Sequence, residues 1–228
     1  MAALSGRTLP QFVDSVHYSP VFTTEWLQHQ DELAFSCITL NRGEQLFLAR
    51  EQHTYTYHIK SGLVKLYILS RDGNLKTLFY HTAGTQFGFQ GFKHDRSTVS
   101  TAVIESPTEV FAIRYSDLFK FCDNNPTYYR SYLEYIVQVM NSQTQEIASL
   151  SFQTGMERLA VLLCSLTAGQ CHSNCAVPFT IDELAEIIGT HRNTVSTALA
   201  RFRQLGAIEE SCRRIVVTDS SKLQQMAQ

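Results

Sequence analysis

Short hydrophobic or alternating runs recur between residues 32 and 113 and are separated by turn residues. The runs are Phe35–Leu40, Gln45–Ala49, Thr54–Ile59, Leu63–Leu69, Leu75–His81, Thr98–Ile104 and Glu109–Ile113. The turns include Lys60-Ser61-Gly62, Asp72-Gly73-Asn74 and Ser106-Pro107, of which Asp-Gly is the strongest hairpin signal. Many short strands with regular turns predict an antiparallel β-roll, of the barrel or jelly-roll type.

A long uninterrupted helix is predicted from Thr127 to about Thr154, a stretch without Gly or Pro. Its heptad seam consists of Tyr129, Leu133, Ile136, Met140, Gln143, Ile147 and Leu150. Coiled-coil dimers use such a seam, whereas the alternative is a long helix packed on its own domain. We favour the dimer because a helix of roughly 42 Å is longer than one small domain covers.

Two short helical patterns lie between Phe179 and Ala207, separated by Gly189. Thr180 and Glu183 form a capping-box sequence at the start of the first pattern. The second pattern places Val195, Leu199 and Phe202 on one face and polar or basic residues on the other. This is the profile of a helix-turn-helix, whose second helix enters the DNA major groove, although an ordinary helical hairpin also fits the stretch alone.

Candidate DNA-contacting residues are the polar and basic side chains of this motif and of the two short strands predicted after it. They are Thr180, His191, Arg192, Asn193, Ser196, Thr197, Arg201, Arg203, Arg213 and Arg214. The formal net charge of the chain is −2, so DNA binding has to rest on local charge rather than on a basic protein as a whole.

Composition and motifs exclude other classes of function. With 44% hydrophobic residues the chain is globular, and it carries neither a long apolar run nor a signal-peptide pattern. We therefore expect a cytoplasmic protein without a membrane partner. No nucleotide-binding loop, nucleophile elbow or HExxH motif occurs, so we do not expect an enzyme.

The order of elements resembles the Crp/Fnr family of bacterial transcription regulators over nearly the whole chain. Three stretches carry the resemblance: Tyr57–Leu66, Glu157–Ala160 and, most specifically, Ile181–Leu205. It implies an α+β chain with a cyclic-nucleotide-binding-like β-roll (1–124), a dimerisation helix (125–154) and a winged helix-turn-helix domain (155–228). It further implies a homodimer on a palindromic operator in double-stranded DNA, a small-molecule effector and RNA polymerase as partners.

The chain departs from the cyclic-nucleotide members of that family. Phe89 stands where their phosphate-binding Glu would be, and Ser100 stands where their Arg would be, so an anionic phosphate loses its charge partner. We expect an apolar or aromatic effector between the β-roll and the long helix. The expected pocket residues are Phe79, Tyr80, Phe87, Phe89, Phe92, Ile136, Val139 and Met140. The spacing through Gly84–Ile104 is similar to that of the family's halogenated-phenol sensors.

Cysteine and histidine positions leave an alternative open. None of the six cysteines precedes Cys37, unlike the cluster-binding members, and Gln90 stands at the position of a haem ligand, with His81 and His94 nearby. We therefore expect no cofactor. Cys164, Cys171 and Cys175, with Cys212, offer a redox- or metal-responsive alternative, and a constitutive DNA-binding protein is another.

The second helix of the motif departs from the family's common pattern as well. Asn193 and Thr197 occupy positions where many members have Glu and Arg. Asn pairs with adenine N6 and N7, and Thr can contact a thymine methyl. We therefore expect half-sites richer in A·T than the family's common one, about one helical turn apart.

Overall fold

The computed structural model describes residues 32–92, 97–167, 175–211 and 214–227. The chain divides into two compact units, and the division falls between Thr144 and Gln145. Each unit is described by itself below.

The N-terminal unit contains an antiparallel β-roll, as the recurring short runs predict. Strand order is β1-β6-β3-β4, with β2 paired to β6 and β5 paired to β3. The strands are β1 (Phe35–Leu40), β2 (Gln45–Phe47), β3 (Tyr55–Leu69), β4 (Leu75–Thr82), β5 (Gln86–Phe87) and β6 (Thr101–Arg114). The hairpin predicted at Asp72-Gly73 is confirmed, because β3 and β4 pair on either side of it and Gly73 has a φ of +81°.

Two predicted turns are wrong. Residues 60–62 and 106–107 lie inside the continuous strands β3 and β6, where the pairing register between these strands shifts. Gly62 has a φ of +101°, and a Cβ there would lie 2.2 Å from Thr108 Oγ1. Glycine here permits a bulge and a close approach of two strands, rather than a chain reversal.

Helical segments complete this unit. A 3-10 turn covers Phe89–Phe92, and α1 covers Tyr115–Asn124. The long helix α2 covers Pro126–Phe152, and its residues up to Thr144 belong to this unit. Proline at the first position of α2 costs no hydrogen bond, because that N–H has no partner within a helix. The inner face of α2 buries Tyr132, Tyr135 and Val139 in the β-roll core. This core includes Ile59, Val64, Leu66, Phe87, Ile104 and Ile113.

The C-terminal unit is a small helical domain with a three-stranded sheet of order β7-β9-β8. Its elements after α2 are α3 (Gly155–Thr167), β7 (Cys175–Ala176), α4 (Ile181–Ile188), α5 (Arg192–Gln204), β8 (Ile208–Ser211), β9 (Arg214–Val217) and α6 (Ser220–Met226). The predicted burial of Leu159, Leu162, Leu163 and Leu166 on α3 is confirmed. The sequence patterns predicted β8 and β9 but not β7 or α6.

Candidate DNA interface and effector region

The first helix of the predicted DNA-binding motif, α4, begins and ends as its sequence predicts. The Thr180 hydroxyl accepts a hydrogen bond from the Glu183 amide at 3.2 Å, and the Glu183 carboxylate accepts one from the Thr180 amide at 2.6 Å. Gly189 ends the helix in the left-handed conformation, with φ 65° and ψ 54°. Because this conformation favours glycine, the chain turns sharply here into α5.

Helix α5 separates its hydrophobic and polar faces. Val195, Ala198, Leu199 and Phe202 are buried, which fixes the helix against the rest of its unit. The candidate DNA-contacting residues of the helix and its N-cap are all exposed: His191, Arg192, Asn193, Ser196, Thr197, Arg201 and Arg203. A helix held by one apolar face and presenting the opposite polar face has the form that major-groove recognition requires.

Arg192 and Thr197 are among the exposed side chains of α5 that have partners within the protein. Arg192 forms an ion pair with Asp182 at the start of α4, a residue that the sequence reasoning did not select. The Thr197 hydroxyl donates to the Asn193 carbonyl at 2.9 Å, which leaves the threonine methyl free for an apolar contact. Exposed ion pairs contribute roughly 0–1 kcal/mol, so Asp182 holds the Arg192 side chain only weakly.

The strands after α5 form the predicted wing. β8 and β9 pair antiparallel, with Ser211 opposite Arg214. Arg214 is exposed at the start of β9, whereas Arg213 and Cys212 lie outside the described residues. Arg214 thus stands on the exposed end of a strand beside the helix-turn-helix.

Four of the five aromatic residues predicted for the effector region belong to one core cluster of the N-terminal unit or pack against it, whereas Tyr80 is buried outside that cluster because neighbouring strand residues point to opposite faces. Phe79, Tyr80 and Phe87 are buried, and Phe89 and Phe92 are half-buried. The Phe87 ring stacks on His81, with 4.5 Å between ring centroids, and lies 5.6 Å from the Tyr57 ring.

The predicted effector residues on α2 face two directions. Val139 is buried and Ile136 packs partly buried against the β-roll core. Met140 is 58% exposed and lies on the outer face of the helix. In this structure the aromatic cluster therefore meets Ile136 and Val139 within one core, while Met140 stands apart from that core.

A buried polar network links β5 to α2, and sequence reasoning missed it. The Tyr135 hydroxyl donates to the Gln86 carbonyl and accepts from the Gln86 amide, the latter at 3.3 Å. The Gln86 side-chain amide donates to the Tyr132 hydroxyl and to Thr56 Oγ1, both at 3.2 Å. A displacement of β5 therefore acts directly on two side chains of the long helix.

A small cavity adjoins this network. It has a volume of about 10 Å³ and is lined by Leu33, Gln86, Ile113, Leu118, Phe121, Cys122, Tyr128 and Tyr132. This volume holds at most one water molecule, whereas ligand pockets measure about 300–1,000 Å³. This cavity is therefore too small to hold an effector.

Buried histidines in this unit are held neutral. Burial lowers the pKa of His58 to about 4 and that of His81 to about 3. Neither ring nitrogen of His81 has a hydrogen-bond partner in the structure, so protonation of this ring would place an uncompensated charge in the core. His94 lies outside the described residues.

The cysteines of the redox alternative are only partly described. Cys171 and Cys212 lie outside the described residues, as does the side chain of Cys175. Burial raises the pKa of the half-buried Cys164 thiol, which makes it less reactive than a free thiol. The residues that the structure describes contain no cluster of three or more His, Cys, Asp or Glu side chains able to hold a metal ion.

Comparison with known proteins matches both units. Residues 157–226 match the Crp-like helix-turn-helix domain, and residues 37–125 match the cyclic nucleotide-binding domain. The electron transport regulator A of Shewanella oneidensis is 25% identical over 193 residues, which cover 82% of this chain and 77% of that protein. The transcriptional activator protein Anr of Pseudomonas aeruginosa is 24% identical over 206 residues, covering 88% and 84%.

Solved structures show the same fold. FixK2 from Bradyrhizobium japonicum gives a TM-score of 0.71 at 22% identity, over 86% of this chain and 98% of that one. CprK complexed with OCPA gives 0.73 at 16% identity, over 94% and 99%. Because these scores are nearly equal, the likeness to CprK does not assign the chain to a particular branch. Among the described residues, no helix combines the length and hydrophobicity needed to cross a membrane.

Proposed function

This chain belongs to the Crp/Fnr family of effector-regulated, DNA-binding transcription regulators, and from that premise we propose that it acts as a homodimer on a palindromic operator and senses a small apolar or aromatic molecule. The family consists of transcription regulators rather than enzymes. The observation that carries the proposal is the exposed polar face of α5, held in place by its buried apolar face.

The outer face of α2 supports the dimer. Leu133, Val137, Met140 and Ile147 are 63%, 47%, 58% and 64% exposed, at spacings of four, three and seven residues. Ile136 packs on the protomer's own core, so Val137 takes its place in the proposed seam. An exposed apolar stripe with heptad spacing is what a two-helix seam requires.

Charge-reversed seam residues test the dimer. Replacing Val137 and Ile147 together by Asp should give monomers with little operator affinity, because four carboxylates would enter one apolar interface. The matched control replaces the exposed Gln138 and Gln145 of the same helix by Asp and should remain dimeric. Sedimentation that shows an unchanged dimer for the seam variant would contradict this interface.

The proposed effector class is supported by Ser100, which stands where the cyclic-nucleotide members have an arginine. Ser100 is 1% exposed, and its hydroxyl lies 3.0 Å from Thr98 Oγ1. This position therefore offers a phosphate no positive charge. Elsewhere in the same unit Phe87 is buried in the hydrophobic core and Phe89 packs against that core, which suits an uncharged ligand.

Thermal melting against a compound library tests the effector. A small aromatic or aliphatic compound that binds the folded state should raise the melting temperature and change operator affinity. Tight binding of cyclic AMP to the unaltered protein in calorimetry would overturn the assignment of effector class. If every stabilising compound left operator affinity unchanged, the protein would be a constitutive DNA-binding protein.

A further inference from the structure

The junction between α2 and α3 is short and tightly held. Only Gln153 and Thr154 separate the last residue of α2 from the first residue of α3. The Thr154 hydroxyl accepts from the Glu157 amide at 3.3 Å, and the Glu157 carboxylate accepts from the Thr154 amide at 2.6 Å. This capping box fixes the direction in which α3 leaves the junction.

One guanidinium connects this junction to the helix-turn-helix. Arg158 Nη1 donates to the Gln153 carbonyl at 2.6 Å, just beyond the end of α2. Its Nε donates to the Ile188 carbonyl at 2.8 Å and its Nη2 to the Gly189 carbonyl at 3.4 Å. Both carbonyl groups lie at the C-terminus of α4, so Arg158 joins the ends of two helices.

The chemistry of these contacts is specific to arginine. Carbonyl groups at the C-terminus of a helix have no partner within the helix and carry the negative end of its dipole. A planar guanidinium directs several N–H donors in fixed directions and so reaches both helix ends. A lysine ammonium in the same place lacks this fixed, forked geometry.

A second contact joins the same junction to α5. A Cβ at Gly155 would lie 2.9 Å from Thr194 Cγ2 and 3.3 Å from Thr190 Oγ1. Thr194 belongs to the first turn of α5, which carries Arg192 and Asn193. The start of α3 therefore lies against the N-terminal turn of α5.

We propose that Arg158 and Gly155 form a clasp that fixes the orientation of α5 relative to the last turns of α2, and that Arg158 is thereby a positioning residue for operator spacing. This inference rests on the proposed function. Residues 145–152 of α2 belong to the C-terminal unit and carry Ile147 of the proposed dimer seam. In a dimer, a fixed angle between residues 145–152 of α2 and α5 would set the distance between the two recognition helices and hence between the half-sites.

Selection from DNA pools with varied spacing between two half-sites tests the clasp. The wild-type protein should select one spacing. Arg158→Gln should select the same half-site sequence but lose about tenfold of its preference over spacings one base pair longer or shorter. The control Arg130→Gln removes an 86% exposed arginine of α2 and should keep the full spacing preference. Arg158→Lys should show a spacing preference between that of Arg158→Gln and that of the wild type.

Gly155→Ala provides a second variant that does not depend on the arginine. Its added methyl group displaces Thr194 and should weaken the spacing preference in the same way. Combining it with Thr194→Ser removes the methyl group that it meets and should restore the preference. Thr194→Ser alone is the control and should behave like the wild type in spacing.

The outcomes separate positioning from stability. A merely structural role would lower affinity for all spacings equally, in proportion to the folded fraction. If Arg158→Gln and Gly155→Ala both kept the wild-type spacing preference, the clasp would be overturned while the proposed function stood. Should Arg158→Gln fail to fold, Gly155→Ala decides. A wild-type protein that selected single half-sites would instead overturn the palindromic operator, and this inference with it.

Discussion

Replacing Tyr135 by phenylalanine should destabilise the protein far more than the loss of one hydroxyl on its surface. The hydroxyl accepts from the Gln86 amide and donates to the Gln86 carbonyl in the core. Gln86 lies opposite His58 in the antiparallel ladder, and the neighbouring Ile59 amide donates to the Thr85 carbonyl. The peptide groups of Gln86 therefore face away from β3 and towards α2.

The magnitude follows from the two backbone groups that lose their partner. Each buried, unsatisfied donor or acceptor costs roughly 1–3 kcal/mol, so we expect a loss of about 3 kcal/mol in the free energy of unfolding. With a urea dependence of about 1–3 kcal/mol per M, the unfolding midpoint should fall by about 1 M or more. The amide of Gln86 should also exchange its hydrogen faster in Tyr135→Phe than in the wild type.

The assay is urea unfolding followed by far-ultraviolet circular dichroism at constant protein concentration. Tyr129→Phe is the matched control, because the Tyr129 hydroxyl is exposed on the same helix and donates to Asp123 at 2.8 Å. Equal midpoints for Tyr135→Phe and Tyr129→Phe would refute the conclusion that α2 holds β5 through the Gln86 peptide groups.

Three further predictions concern the DNA interface, the strands and the buried histidine. Asp182→Asn should raise operator affinity about two- to fivefold at low salt in a binding titration, because it frees Arg192 and removes a negative charge; an unchanged affinity would contradict this. Gly62→Ala should lower the unfolding free energy by more than about 2 kcal/mol, measured in urea, since its Cβ would overlap Thr108; wild-type stability would show that the strands separate easily. The folded-state pKa of His81 is about 3, whereas its ordinary value is 6.5, so between these pH values the unfolded chain binds more protons than the folded chain. The contribution of neutral His81 to the free energy of unfolding should therefore be fully present above pH 6.5 and be lost as the pH falls towards 3. His81→Leu should flatten that acid decline in a pH series of melts, and an identical decline would assign it to other groups.

Local signals in the sequence predicted the helix-turn-helix accurately. Thr180 and Glu183 stand three residues apart, and the hydrogen bonds of their capping box are made within that stretch. Gly189 is the residue that the left-handed turn after α4 requires. Such features depend on neighbouring residues alone, so one sequence contains all the information they need.

The course of the β-roll depends on distant partners. A glycine at position 62 is compatible with a turn and with a bulge. Here it forms a bulge because β3 pairs with β6, which brings Gly62 close to Thr108, 46 residues further along the chain. The short strand β5 has two residues and no pattern of its own, and it exists because β3 lies beside it. Its position could not be predicted from local propensity.

The polar contacts that couple the elements were also beyond the sequence patterns. Tyr135 meets Gln86 at a separation of 49 residues, and Arg158 meets Ile188 at a separation of 30. Tyr132 and Tyr135 fit a helical apolar face equally well whether or not their hydroxyl groups have partners. Hydrophobic spacing predicts that a residue is buried, but not which buried polar group it satisfies.

The most direct test of operator reading by α5 is selection of binding sites from a random DNA pool by the wild-type protein and by Asn193→Ala. We expect a palindrome whose half-sites are richer in A·T than the family's common one, and a single base position per half-site that relaxes in Asn193→Ala at a cost of roughly 1–3 kcal/mol. A position opposite Asn193 that specifies G·C and is unaltered in Asn193→Ala would contradict the assignment of α5 as the helix that reads the operator through this residue.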